Sequence, residues 1–213
     1  MLLKRIGVYG GSFNPIHKGH IHAAVQFSKQ LELDKVLVIP TNIPPHKKNY
    51  LLLDAKARYE MCSLASHENP VLVTDDIEIR NQGKNYTFKT LEALLEREKE
   101  SEFYLLLGSD MFMCFSEWIG FKEIIKIATI CSIPRDHGEM EGLMAMEKKL
   151  QSYGAKTKIC TAEILPVSST EIRMKIKQGA DVSDMLHSKV YEYIEKNHLY
   201  KNQNENRIDA ICG

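Results

Sequence analysis

At 213 residues the chain is long enough to bury one well-formed core and short for two. Its 28 Lys and Arg balance its 28 Asp and Glu, which argues against a polyanion such as a nucleic acid as the main partner. Five widely spaced cysteines with no C-x-x-C pair argue against a disulfide framework or a structural zinc site, and no signal-peptide core or apolar run of about 18 residues is present, so the sequence reads as cytoplasmic with no membrane partner.

The charge is unevenly placed. Residues 1–60 hold nine Lys and Arg against four Asp and Glu, and four of the eight histidines, a balance that suits small phosphorylated ligands. In the same region a short apolar run from Ile6 to Tyr9 breaks at Gly10-Gly11, passes through Ser12, Phe13, Asn14 and Pro15, and delivers His17 and His20 at the head of a helical pattern over 19–31. Strand, tight turn and helix N-terminus in that order suit a phosphate. Glycine permits positive φ and close approach of a ligand, and first-turn N–H groups carry partial positive charge. Two histidines three positions apart can project from one side of that turn as further donors, although a solvated first-turn histidine is ordinary when met alone.

Residues 36–40 form a continuous apolar run, as expected of a parallel strand buried on both faces, so the first 40 residues read as a right-handed βαβ unit. The loop over 41–53 carries Pro44-Pro45-His46-Lys47 at a strand's carboxyl end, where it faces the same crevice as the glycine corner. Asp54 caps a helix running to about His67, and 71–74 resume the strands. Alternating apolar and charged residues over 76–80 predict a strand with one wet face. A turn over 81–85 leads to a helix opened by Tyr86-Thr87, with Phe88, Leu91, Leu94 and Leu95 inward.

Residues 103–107 form the next buried strand, ended by Gly108-Ser109-Asp110, and 111–115 read as core packing ahead of Trp118. A helix over 121–128, a strand over 129–133 closed by Pro134-Arg135, a helix over 139–151 and a strand over 158–165 follow. Ser168-x-x-Glu171 is a capping box opening a helix that carries Arg173, and 188–197 form the last helix. The alternation predicts a doubly wound, mostly parallel α/β sheet in one domain over 1–200, with 201–213 a polar tail. The many apolar residues can bury inside one subunit or contribute to a homodimer face.

The string G-G-S-F-N-P-I-H-K-G-H resembles the [T/H]-x-G-H signature of the nucleotidyltransferase superfamily, and its full length is similar to the bacterial nicotinate-nucleotide adenylyltransferases. The resemblance implies a Rossmann-like nucleotidyltransferase fold and adenylyl transfer from MgATP to nicotinate mononucleotide, giving nicotinate adenine dinucleotide and pyrophosphate in NAD biosynthesis. It assigns Gly10, Ser12, Phe13, His17, His20, Ser168, Ser169, Thr170 and Arg173 to ATP. Asn85, Tyr86, Thr87, Asp110, Trp118 and Lys47 fall to the acceptor, with nicotinate's carboxylate on the N-Y-T amides and its ring on Trp118. His17, His20, Lys47 and Arg173 are the implied catalytic groups, and Mg2+ is held through ATP phosphates and water rather than by protein ligands. Ser12 and Asn14 replace a usual threonine and aspartate, and Lys89 reverses a charge in the usual Y-T-x-D-T. Alternatives are another acceptor, such as nicotinamide mononucleotide or phosphopantetheine, and a nucleotide-binding regulator without turnover.

Overall fold

The apolar run near the start of the chain becomes the strand β1 (Lys4–Gly11), which sits at the centre of a parallel sheet between β2 (Lys35–Pro40) and β4 (Ser101–Gly108). The computed structural model describes residues 3–43, 52–81, 84–135, 138–163 and 165–201. Among these, β3 (Leu72–Thr74), β5 (Ala128–Ile133) and β6 (Thr157–Ile159) complete six strands in the order β3-β2-β1-β4-β5-β6, every pair parallel. The order reverses direction between β1 and β4, the doubly wound pattern expected from the alternation.

Side chains alternate across each strand and so divide the core in two. Tyr9, Val36, Val38 and Leu106 point to one face, covered by α1 (Lys18–Gln30), α2 (Ala55–Ser66), α8 (Ser169–Lys177) and α9 (Ser188–Lys196). Ile6, Val8, Leu37, Ile39, Leu105 and Leu107 point to the other, with the apolar sides of α4 (Thr87–Arg97), α6 (Phe121–Ile127) and α7 (Met140–Ser152). Fully burying each such aliphatic side chain contributes about 1.5–3 kcal/mol, and both faces must be covered because every rung between them is apolar. No helix among the described residues is long and apolar enough to cross a membrane.

Several local expectations change. Residues 76–80 are not a strand. The segment Ile77–Arg80 is a helical turn, α3, because Asp75 Oδ1 accepts the Ile77 N–H at 3.0 Å and Asp76 pairs with Arg80 one turn on at 2.7 Å. Alternation in five residues cannot separate these outcomes, and the single pairing of Asp76 with Arg80 four positions on favours the helix. The last strand is also short, since β6 stops at Ile159 where 158–165 had been expected to stay extended in the sheet. Leu95 is exposed on α4, and of residues 111–115 only Phe112 and Phe115 are buried, while Met111 and Met113 face outward from α5 (Ser109–Met113) and a short 3-10 turn follows at Phe115–Glu117.

Candidate active site

A cleft of about 960 Å3 opens over the carboxyl ends of β1, β4 and β5. Its floor is the end of β1. Gly10 and Gly11 still belong to that strand and neither takes positive φ; the left-handed residue is Phe13, at φ 42°. The glycines serve by their size instead. A Cβ on Gly11 would lie 2.9 Å from the Phe13 ring, whereas Gly10 faces open space, leaving bare backbone at the cleft. Phe13 packs edge-on to Tyr9 and to His20, with centroids 5.5 and 5.1 Å apart.

His17 caps α1 and His20 stands one turn along, their rings stacked 3.7 Å apart. Each Nδ1 accepts the other residue's backbone N–H, at 3.4 and 3.3 Å. An imidazole that accepts at Nδ1 and is neutral must carry its proton on Nε2. Neutrality follows from the surroundings: burial, then the Arg135 guanidinium, hold His17 down at about 3, and burial, His17 and Arg135 hold His20 well below the ordinary histidine value. The pair therefore presents two neutral N–H donors rather than two cations.

The wall beyond the histidines is the start of α8. Ser168 Oγ accepts the Glu171 N–H at 3.1 Å, while the Glu171 carboxylate turns to Lys175 at 3.0 Å, so the capping box is realised in one direction. Ser169 donates to the Pro15 carbonyl at 2.8 Å, and Arg173 donates to the Asn14 carbonyl at 2.7 Å and to Thr170 Oγ1 at 3.3 Å. These bonds clamp α8 against the corner, so that Ser168, Ser169, Thr170 and Arg173 line the same cleft as His17 and His20. Beneath them Arg58 is fully buried and donates to the carbonyls of Leu53, Ser12 and Asn42 at 2.9, 2.9 and 3.1 Å, fixing the chain on both sides of the corner.

The opposite wall is the start of α4. Asn85 is buried, Tyr86 is the N-cap residue, Thr87 begins the helix, and no side chain caps the helix's first N–H groups. Trp118, packed edge-on to Phe115 with centroids 5.4 Å apart, lines the cleft with all three. Asp110 lies between the walls. It receives the Met111 N–H at 2.9 Å and pairs with Arg135 at 3.0 Å. Of the candidate residues named from the sequence, only Lys47 falls outside the described residues, with the rest of Pro44-Pro45-His46-Lys47.

Three residues were missed in the sequence. Arg135 lies two residues past β5 at the cleft and is the cation beside the histidines; a basic residue just past a buried strand's carboxyl end was the available signal. Arg58 and Glu78 gave none, because a helical arginine and a glutamate among other charges look solvated until the fold buries them.

Comparison with known proteins bears on this geometry. Residues 8–175 match the cytidylyltransferase-like family model. A protein of Clostridium botulinum (strain Kyoto, type A2) named "probable nicotinate-nucleotide adenylyltransferase" is 36% identical over 196 residues, covering 91% of this chain and 98% of that protein. One of Clostridium novyi (strain NT) with the same name is 32% identical over 200 residues, covering 93% and 100%. Among solved structures, Plasmodium falciparum nicotinic acid mononucleotide adenylyltransferase complexed with NaAD superposes with a TM-score of 0.75 at 22% identity, over 92% of this chain and 97% of that one. Its complex with APC gives 0.73 at 20% identity, over 92% and 97%, and both show the shared fold. With relatives of this identity aligned over nearly the whole length of both chains, this chain belongs to the nicotinate-nucleotide adenylyltransferase family.

Proposed function

We infer that the chain is an enzyme that transfers the adenylyl group of ATP to nicotinate mononucleotide, forming nicotinate adenine dinucleotide and pyrophosphate for NAD biosynthesis. One observation carries this reading: the neutral His17–His20 pair, the α8 N-terminus and Arg173 share a single cleft with an uncapped helix N-terminus and Trp118. The first half suits a triphosphate and the second a flat ring bearing a carboxylate.

In the reaction an oxygen of the acceptor's 5′-phosphate attacks the α-phosphorus in line, the α–β bridging P–O bond breaks, and pyrophosphate leaves with its electron pair. The attacking phosphate is already ionised near neutral pH, so the protein supplies neither nucleophile nor base. Its part is positioning and charge stabilisation. Gly10 and Ser12 bring backbone to the phosphates beside Phe13, and Nε2–H of His17 and His20 donates to the oxygens whose charge grows. Arg173, with Ser168, Ser169 and Thr170 at the α8 N-terminus, receives the departing pyrophosphate, and Lys47 serves as a flexible point charge on the transferring phosphate. Residues 85–87 and Trp118 hold the nicotinate, and Asp110 suits a ribose hydroxyl.

The donors at this corner are amides, hydroxyls, two neutral imidazoles and the Arg173 guanidinium, groups that bind phosphate oxygens rather than a cation. That set fits Mg2+ carried on nucleotide oxygens and water, where it would draw negative charge off the phosphates. Residues 1–200 are read as one catalytic unit, and the unpaired, buried thiols of Cys62, Cys131 and Cys160 are in keeping with a reducing cytoplasm.

Pyrophosphate release with MgATP tests the assignment. Strong preference for nicotinate mononucleotide over nicotinamide mononucleotide and phosphopantetheine is the expected result. Preference for another acceptor would keep the ATP half and overturn the carboxylate half, and ATP binding without release with any of the three would mark a regulator.

A further inference from the structure

Behind the uncapped start of α4 lies a carboxyl group that the reaction above does not use. Glu78, in α3, is 6% exposed and lines the cleft. Its Oε1 accepts from Thr90 Oγ1 at 2.9 Å, its carbonyl accepts from Asn85 Nδ2 at 3.1 Å, and Thr41, just past β2, lies near enough to favour the carboxyl's charged form. One side chain thus joins the end of β2, α3 and the turn that opens α4. Two atoms in this cluster are left over: Glu78 Oε2 and Asn85 Oδ1 are both buried acceptors with no hydrogen-bond donor among the described residues.

The charges around Glu78 are spent elsewhere. Arg58, from α2, gives its guanidinium to three backbone carbonyls. Arg97, from α4, pairs with Asp75, and Arg80, in α3 itself, pairs with Asp76. From β2 and α4 the groups facing the carboxyl are the hydroxyls of Thr41 and Thr90. Ionised, Glu78 would be a buried anion with no ion pair among the described residues, set just behind helix amides that the proposed reaction needs for a second anion. Protonated at Oε2, it becomes a donor in a cluster that has a spare acceptor in Asn85 Oδ1. Burial pushes this carboxyl above the usual glutamate range, against the opposing pull of the Thr90 hydrogen bond, of Thr41 and of Arg58.

We propose that Glu78 is a positioning residue for the acidic acceptor: held as a neutral carboxylic acid, it fixes residues 85–87 through Asn85 and Thr90 and leaves the α4 N-terminal amides free to receive a carboxylate. The proposal rests on nicotinate mononucleotide as acceptor. It makes recognition of that acceptor depend on pH. As pH rises and Glu78 loses its proton, a negative charge appears behind the amides and KM for the acid mononucleotide climbs, while KM for ATP, bound at the other wall, does not follow.

Two measurements test this. In infrared spectra of the wild-type protein taken as pH is raised, a protonated-carboxyl band that outlasts the ionisation of ordinary glutamates and is missing in E78Q is expected. In steady-state kinetics, E78A is expected to raise KM for nicotinate mononucleotide about tenfold and leave KM for ATP within about twofold. E78Q, which keeps an acceptor for Thr90 and adds a donor for Asn85, is expected to reverse the E78A loss and to remove the alkaline rise in KM. Should E78A fail to fold, Thr90→Val, which removes the Oε1 partner together with the longer 3.5 Å contact of the same hydroxyl to the Tyr86 carbonyl, is expected to raise the same KM. Absence of the band, an E78Q defect as large as that of E78A, or equal increases in both KM values would each overturn the proposal. The infrared band does not depend on turnover: a band without turnover of the acid mononucleotide overturns the acceptor assignment, and turnover without the band overturns the role of Glu78 alone.

Discussion

Tyr200 donates its hydroxyl to Asn14 Oδ1 at 2.9 Å, joining residues 186 apart at the back of the corner between β1 and α1. Asn14 also receives the Leu53 N–H at 3.3 Å through the same oxygen and the Arg173 guanidinium through its carbonyl. One asparagine therefore carries the C-terminal part of the chain, α8 and the segment before α2. Tyr200→Phe keeps the packing and removes one donor from an oxygen that retains another, so it should cost about 1 kcal/mol of stability, read as a lower urea midpoint at unchanged slope. An unchanged midpoint would mean that the hydroxyl contributes nothing to the closure.

Arg58 makes a sharper case. Its three donors reach three carbonyls from a fully buried position, a pattern that a planar guanidinium can satisfy and a lysine ammonium, shorter and with one nitrogen, cannot. Arg58→Lys should leave at least one buried carbonyl without a partner and lower stability by about 2–4 kcal/mol. Because Ser12 and Asn42 stand at the ends of adjacent strands below the cleft, KM for ATP should rise too. A lysine variant with wild-type stability would show that water replaces the missing donors.

The histidine pair predicts how stability depends on pH. In the folded chain His17 titrates near 3 and His20 well below the ordinary value, whereas unfolded histidines titrate near 6.5. Below about pH 6.5 the unfolded chain binds protons that the folded chain does not, so acid favours unfolding. The stabilisation is complete above about pH 6.5 and is lost progressively as pH falls toward 3, at up to about 1.4 kcal/mol per pH unit for each histidine. Urea unfolding between pH 7.5 and 5.5 should show this slope, and the double variant His17→Asn, His20→Asn should flatten it. A wild-type protein equally stable at both ends would mean that the rings are charged or exposed.

These same residues show what a sequence exposes and what it hides. The β1 corner, α1 and the Ser168 to Arg173 segment were legible because each is specified within about a dozen residues by turn chemistry, helical spacing and a cap. The roles within the corner were less so. Gly10-Gly11 looked like a turn needing positive φ, yet the Phe13 ring, 2.9 Å from where a Cβ of Gly11 would be, accounts for the second glycine, and Gly10 faces open space. Residues 76–80 alternate like a strand, yet Glu78 is buried by contacts to Thr41 and Thr90 that lie far away in sequence. The cluster around Glu78, the burial of Arg58 and the approach of Arg135 to the histidines are tertiary facts with no local period to announce them.

His20 is expected to contribute to the reaction through one atom and to the fold through another, and substitution can separate the two. Its Nδ1 accepts the His17 N–H, which orders the first turn of α1, while Nε2–H is the donor proposed for phosphate oxygen. His20→Ala removes both and should lower kcat on the order of 100-fold, the loss seen for a single stabilising donor. Asparagine can place an oxygen near the Nδ1 position, and glutamine can place an N–H near Nε2. His20→Asn should therefore keep the stability of the wild type and still lose about as much kcat as alanine, whereas His20→Gln should recover part of kcat at some cost in stability. Single-turnover rates at saturating MgATP and nicotinate mononucleotide, set beside urea midpoints for the three variants, check this. Equal kcat in the asparagine and glutamine variants would remove Nε2 from the reaction and leave His20 as a helix cap.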